Sequence, residues 1–500
     1  MQMETGSTTI ERRYGRWAVA LIGGLLVFRL AILLLNPAGL HGDEAQYWSW
    51  AQDPAFGYYS KPPLIAWVIW TTTAVFGDAE WAVRLASPFL HSITAGLTFL
   101  TARRLYGQKA GFYAAALFAL MPGVALSATL ISTDAALLVF VALFIHAWVR
   151  LREAPQWGWA LTLGAAFGLG MMTKYAMIYV VPAFVLAIVF DRPTRQAVLS
   201  LRGAVTAGLA GLILWPNLIW NSQHEFATLV HTGDNANLSD GVQLNPDELA
   251  EFLLGQLGVF GPLTFILLLV ALWAVRRSTS DAPRQTFTVW LALLTLTPLL
   301  IICIQALISR ANANWAGAAY ASAPILLAAW ALQSDRALKW LRGGLGINVL
   351  LCIVPGVVMV SPALVDQLGF ANSVKRQRAW PETVEAIRAK YAQGNYEAVA
   401  VDNRLVYYDL LYYGLPESAP LYMWRYEPRL NSHAELTRAL PQDDRSVLIV
   451  SYYATYAEYF ARDFKTLTPQ GEIKIALGGG KTRRLYTYAA SGYRGPVFRD

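Results

Sequence analysis

The sequence predicts a mostly α, polytopic membrane protein with a small α/β domain at its C-terminal end. Three observations lead there. Charged residues make up 15% of the 500 residues, against about 25% in soluble domains. Apolar residues gather in blocks of about 20, the length that crosses a hydrocarbon core of roughly 30 Å. From about residue 361 the blocks stop, and shorter segments alternate between strand-like and helix-like patterns.

The first apolar run, Trp17 to Leu35, follows a basic flank as a signal peptide would. It is longer than a 7–15-residue signal core and lacks a small-x-small cleavage site, so it reads as a retained span. Eleven spans can be drawn, at about 17–36, 81–101, 110–128, 132–149, 157–172, 175–190, 203–220, 252–274, 286–308, 313–332 and 341–360. The stretch from Leu64 to Phe76 follows Pro62-Pro63 and is too short to cross, which suits an interfacial or re-entrant helix. Residues 1–360 thus form the membrane domain, with a first extracytoplasmic loop at 37–80.

Orientation follows from loop charge. The N-terminal tail and the loops near Arg103, Arg152, Arg195, Arg276 and Arg336 are rich in Lys and Arg, whereas the loops at 37–84, 129–134, 173–175, 221–251 and 309–312 are dominated by acids. The positive-inside rule puts the first set in the cytoplasm and 361–500 outside it. Basic residues distributed this way set topology and argue against a nucleic-acid partner. Cys303 and Cys352 both fall inside apolar spans and read as packing residues.

The outer loops hold few cations: Lys61, Arg84, Lys174 and Arg310, each at a span end. Arg84 pairs naturally with Glu80. The other three serve either as snorkelling anchors or as ligands for an anion, and the anion available at that depth is a lipid phosphate. The first loop, HGDEAQYWSWAQDPAFGYYSKPP, adds Asp43 and Glu44 among Tyr47, Trp48, Trp50, Phe56, Tyr58 and Tyr59. Asp134 follows Ser132-Thr133 and is either a first-turn acid complementing the helix dipole or a second site carboxylate. Arg29, deep in the first span, calls for an acid such as Glu44 or Asp134. His224, Glu225, His231 and Asp234 lie in a long loop without a defined metal spacing, which reads as a solvated or acceptor-facing loop. Asn314 and Trp315 sit at an outer span mouth, as polar contact and ring or as interfacial anchor.

In the C-terminal domain YEAVAVDN, SVLIVSYY and RRLYTYAA read as strands, and PETVEAIRAKYAQ, HAELTRAL and TYAEYFARDF as helices. Gly478-Gly479-Gly480-Lys481 lacks the full phosphate-loop spacing and reads as a turn, so the chemistry is expected elsewhere.

The segments DEAQYWSW, YYSKPPL, EWAVRLAS, STDAALL, TKYA and WPNLIWN together resemble glycosyltransferase family 39, the protein O-mannosyltransferases and bacterial relatives, and are similar to the lipid A aminoarabinose and galacturonic acid transferases. The resemblance covers roughly residues 10–330. It implies a GT-C fold and inverting transfer of a monosaccharide from a polyprenyl phosphate donor to an envelope acceptor, whether lipid A or lipopolysaccharide core, another glycan or a protein, at the outer face of the bacterial cytoplasmic membrane. It implies Asp43, with Glu44 and Asp134, as catalytic carboxylates, Asp43 being the general base. Lys61, with Lys174, is implied as donor-phosphate ligand; Arg310 joins them as an outer cation, and Tyr58, Tyr59, His224, Asn314 and Trp315 are expected as substrate contacts from their own place in the sequence. The aminoarabinose transferases carry a metal-associated acid before the KPP lysine; Ser60 stands there in this chain. No metal or other cofactor is therefore expected. Rival readings are a ligase moving a whole oligosaccharide from a polyprenyl carrier and a transporter of lipid phosphates, which sugar release from a monosaccharide phosphate carrier would separate.

Overall fold

The computed structural model describes residues 2–234, 244–275, 283–415, 419–427 and 430–496. Two compact units make up the chain, and neither is a single stretch of sequence. One comprises Met1–Leu35, Lys61–Ile65 and Arg84–Val357; the other comprises Asn36–Ser60, Ala66–Val83 and Val358–Asp500.

The first unit is helical. Its core is dominated by Ala and Leu, with Phe144, Trp148, Phe252, Phe260 and Phe287 filling the wider gaps. Helices Trp157–Thr173 and Leu201–Gln223 approach closely through small residues. A Cβ on Gly164 would lie 2.5 Å from the Thr206 carbonyl oxygen, and one on Gly168 would lie 2.9 Å from Ile213. Close backbone approach at a small-xxx-small pair is how helices associate in lipid. Large apolar side chains such as Val27, Leu201, Leu212 and Leu254 stand exposed on the outside, as a lipid-facing surface requires.

Among the described residues six helices are long and apolar enough to cross a membrane, or eight if each of two bent pairs counts as one span. Several of the eleven expected spans are interrupted, and the cause is local. The expected 110–128 span breaks between Gln108–Ala119 and Pro122–Ser127, because Pro122 has no N–H with which to continue the ladder. The 252–274 span bends by 107° between Pro246–Phe260 and Pro262–Val275, where Gly261 takes φ +98° ahead of Pro262. Residues 175–190 begin as a 3₁₀ helix, Tyr175–Val180, and 313–332 divides into a 3₁₀ helix, Ala313–Ala321, and Ala323–Ala331. Helix Leu64–Phe76 has 13 residues, matching its expected extent.

Among the described residues Arg29 finds no carboxylate. Its Nη2 donates to the Ala119 carbonyl at 2.5 Å, a group left over where the Gln108–Ala119 helix ends. Glu44 and Asp134, the expected partners, are engaged elsewhere.

In the second unit β1 (Ala398–Val401), β2 (Leu421–Met423), β3 (Ser446–Ser451), β4 (Phe464–Gly478) and β5 (Lys481–Tyr493) form one sheet in the order β2-β1-β3-β5-β4. β1 pairs parallel with β2 and β3, whereas β5 runs antiparallel to β3 and β4. The glycines at 478–480 form the β4–β5 turn, all with positive φ. Helix Trp380–Ala392 precedes β1, and Ala457–Asp463 precedes β4. Tyr488 of the sheet packs with Trp424 and Phe460 in the core on one face.

Candidate active site

The candidate residues fall into two groups, one in each unit. In the second unit the segment after residue 41 is a helix, Gly42–Ala51, where a loop was expected. A capping box starts it: the His41 side chain accepts from Asp43 N, and Glu44 Oε2 accepts from His41 N at 2.9 Å. Two acids in the first turn also suit the helix dipole. Glu44 is buried, with one oxygen committed to this cap, so its first task is structural. Asp43 is the more open of the pair. Its side chain is 45% exposed, Oδ1 accepts from Arg404 Nη1 at 3.2 Å, and Oδ2 lies 3.8 Å from His41 Nδ1.

Arg404 opens the helix Arg404–Tyr412, which Asn403 caps through the Leu405 and Val406 amides. It also donates to the Gln46 side-chain oxygen, so Asp43 and Gln46, one helical turn apart, are held by one guanidinium. The two helices lie close: a Cβ on Gly42 would come within 2.8 Å of the Leu405 Cβ. Sequence reasoning missed Arg404. The Asn403 cap was readable, but nothing in the sequence links it to a residue 361 positions away.

Tyr58 and Tyr59, expected to face substrate, are both buried. The Tyr58 hydroxyl donates to Trp50 O at 2.9 Å and accepts from Ala55 N at 3.0 Å, and its ring stacks on Trp50 at 4.6 Å. Burial pushes the Tyr58 phenol up to about 12. The Tyr59 hydroxyl donates to the Leu430 carbonyl. Both rings pack the segment, and both hydroxyls bond main chain. The turn between Gln52 and Ser60 folds Tyr58 inward onto Trp50 of the helix, while Phe56 stays half exposed.

In the first unit Asp134, Lys174 and Asn314 come together. Lys174 Nζ donates to Asp134 Oδ1 at 2.7 Å, and Asn314 Nδ2 donates to Asp134 Oδ2 at 2.8 Å. Asp134 is in the first turn of Thr133–Glu153, Lys174 caps the C-terminus of Trp157–Thr173, and Asn314 lies in the 3₁₀ helix Ala313–Ala321. Lys174 therefore directs its charge at a carboxylate. Arg310 is exposed just beyond Pro283–Ile308 and makes no ion pair among the described residues. Lys61 is half-buried ahead of Pro62-Pro63. Trp315 is half-buried against the helical core. His224 stacks on Trp220 at 4.0 Å, with Nδ1 2.8 Å from the Trp220 carbonyl oxygen. Its neighbour Asp234 lies where no side chain is described. No group of three His, Cys, Asp or Glu side chains capable of holding a metal occurs among the described residues.

Three comparisons place this arrangement among known proteins. The family described as dolichyl-phosphate-mannose-protein mannosyltransferase matches residues 60–220. A lipid A galacturonosyltransferase, RgtD, of Rhizobium johnstonii is 34% identical over 486 residues, covering 95% of this chain and 98% of that protein. An undecaprenyl phosphate-α-4-amino-4-deoxy-L-arabinose arabinosyl transferase of Pseudomonas fluorescens is 32% identical over 223 residues, 40% of each chain. Among solved structures, ArnT from Cupriavidus metallidurans bound to undecaprenyl phosphate superposes with a TM-score of 0.64 at 16% identity, over 96% of this chain and 99% of that one. That likeness gives the fold, and it extends across both units.

Proposed function

Because the chain belongs to glycosyltransferase family 39, the dolichyl-phosphate-mannose-protein mannosyltransferases and their bacterial relatives, we propose that it moves a galacturonosyl residue from a polyprenyl phosphate carrier to a lipid A-type acceptor. It is a multi-pass membrane glycosyltransferase of the GT-C fold. The observation that carries the substrate is the 34% identity to a lipid A galacturonosyltransferase over 98% of that protein; likeness to the aminoarabinose transferase covers only 40%.

The chemistry asks little of the protein beyond position and charge. The bond from the sugar anomeric carbon to the carrier phosphate breaks, the acceptor oxygen bonds that carbon from the opposite face, and the configuration inverts. The acceptor proton goes to a carboxylate. The bonding electrons leave with the phosphate, whose charge grows as the sugar departs. Asp43 is the base in this reading, since it keeps a carboxylate oxygen more loosely held than either oxygen of Asp134. Lys61 meets the phosphate, with Arg310 the next cation.

The reading includes no tightly bound metal. Ser60 stands where the related aminoarabinose transferases are expected to carry a metal-associated acid, and the His224 ring is taken up by Trp220. Loop charges orient the protein in the bacterial cytoplasmic membrane with residues 361–500 in the periplasm.

Purified protein in liposomes, given polyprenyl phosphate galacturonic acid and lipid A, is expected to yield lipid A heavier by one hexuronic acid, with or without a chelator. Product from the aminoarabinose carrier alone would reassign the donor. Turnover abolished by chelation and restored by one divalent ion would overturn the metal-free reading, and an active cytoplasmic reporter fused after residue 500 would invert the topology.

A further inference from the structure

The α/β part of the second unit carries a cavity of about 430 Å³ that the proposed transfer does not use. Its size lies in the range of roughly 300–1,000 Å³ typical of small-molecule sites. Its place follows from strand order. From β1 the chain moves to β2 on one side and then returns to β3 on the other, so the connections leaving the C-terminal ends of β1 and β3 diverge. Open α/β sheets bind ligands in the crevice at such a switch point. The cavity is lined by Asn403 from just beyond β1 and by Tyr452 and Tyr453 from just beyond β3.

Its charge is strongly one-sided. Lys375, Arg376, Arg483 and Arg484 line it against one lining acid, Asp409, with Glu472 Oε2 3.8 Å from Arg484 Nε. Burial pushes the Asp409 carboxyl well above the ordinary carboxylate range, which leaves the cations less compensated. Arg483 is the built element. It is 3% exposed and lies over the Trp380 ring at 3.6 Å. Nη1 donates to Ala379 O at 3.0 Å and Thr383 Oγ1 at 2.7 Å, and Nε donates to Tyr452 Oη at 3.2 Å. These bonds fix the guanidinium plane and leave Nη2 buried without a hydrogen-bond partner among the described residues. A buried donor left unmade is costly, and a positioned Arg fork beside Lys is phosphate-binding equipment.

We propose that this cavity is a binding site for a phosphate-bearing saccharide. Arg483 and Trp380 form its fixed wall, and Lys375, Arg376 and Arg484 at its more open side neutralise the phosphate. His41 and Gly42, which begin the helix carrying Asp43, form part of the lining, so an occupant touches the cap of that helix. Anion binding at this cavity stands independently of the transfer reading.

The test uses the full-length protein in zwitterionic nanodiscs, titrated calorimetrically with glucose 1-phosphate, inorganic phosphate and glucose. Glucose 1-phosphate is expected to bind and glucose is not. Arg376→Ala combined with Arg484→Ala, both exposed positions, should weaken binding roughly 10- to 100-fold, the worth of lost charge-assisted hydrogen bonds. Arg483→Lys should weaken it as well, measured on protein that retains its fold. Adding lipid A to the nanodiscs separates the sources: competition assigns the cavity to a lipid-borne headgroup, and no competition assigns it to a free sugar phosphate. Equal affinity for glucose and glucose 1-phosphate, or full affinity in the double variant, would overturn the site. Failure of sugar transfer with intact phosphosugar binding would instead sink the transferase reading alone.

Discussion

Asp43 and Asp134 look alike in the sequence, each in the first turn of a helix near an outer loop, yet the protein treats them differently. Asp134 has both oxygens taken at 2.7 and 2.8 Å, by Lys174 and Asn314, and its side chain is only 16% exposed. Asp43 has one oxygen at 3.2 Å from Arg404, the other 3.8 Å from His41, and is 45% exposed. Taking a proton would weaken the short charge-assisted bond that Asp134 accepts from Lys174, whereas Asp43 has no contact that short to lose. The first is built as a fixture joining three helical segments of its unit, and the second as a group available to solvent and ligand.

The sharpest test of that contrast is Asp43→Asn, which preserves shape and should lower single-turnover transfer by about 10²–10⁴, the usual worth of a positioned base. Normal turnover would transfer the role elsewhere. Next in size is Lys61→Ala, for which binding of the polyprenyl phosphate donor should weaken by roughly 10- to 100-fold. Unchanged donor affinity would move the phosphate site to Arg310. Asp134→Asn strands the Lys174 ammonium, so melting temperature should fall, by about 1–3 kcal/mol in stability, while turnover of the folded fraction stays within about tenfold of the parent. A loss matching that of Asp43→Asn would erase the distinction. The smallest effect is expected from Arg404→Ala. Its pair with Asp43 is about half exposed and worth at most about 1 kcal/mol. Turnover should therefore change by no more than about fivefold, and a larger loss would show that the guanidinium also contacts substrate.

How far these features were legible depends on whether their cause is local. The first-turn place of Asp134, the Gly478–Gly480 turn and strands β1, β3 and β5 rest on short-range chemistry, and sequence reasoning reached them. β4 was missed because Pro469 and Gly471 interrupt its pattern and because it is an edge strand, with register shifts between Pro469 and Gly471 and between Ala476 and Gly478. β2 is only three residues long. The bent spans were drawn straight because hydrophobic blocks record composition, whereas Pro122 and Gly261-Pro262 decide where the backbone ladder ends. Arg404 and the inward turn of Tyr59 were out of reach, since their partners Asp43 and Leu430 are remote from them in sequence. The Asp134–Lys174–Asn314 cluster was named residue by residue, but its mutual satisfaction was not, because spacing along the chain says nothing about which charge quenches which.

The helix bearing Asp43 is synthesised early, yet its partner helix Arg404–Tyr412 is among the last parts of the chain to be made, and the Leu40 amide likewise waits for the Tyr413 hydroxyl, which accepts from it at 3.1 Å. At 5–20 residues per second the interval is roughly 20–70 s. Through that time the first turn of the helix has no guanidinium beside it and the Gly42 surface has nothing to pack against. Contacts so distant along the chain also form slowly once both partners exist. The proposed base is thus assembled only on a polypeptide that has been completed past residue 413, and a nascent or prematurely terminated protein, although already threaded into the bilayer, carries an unfinished reaction centre.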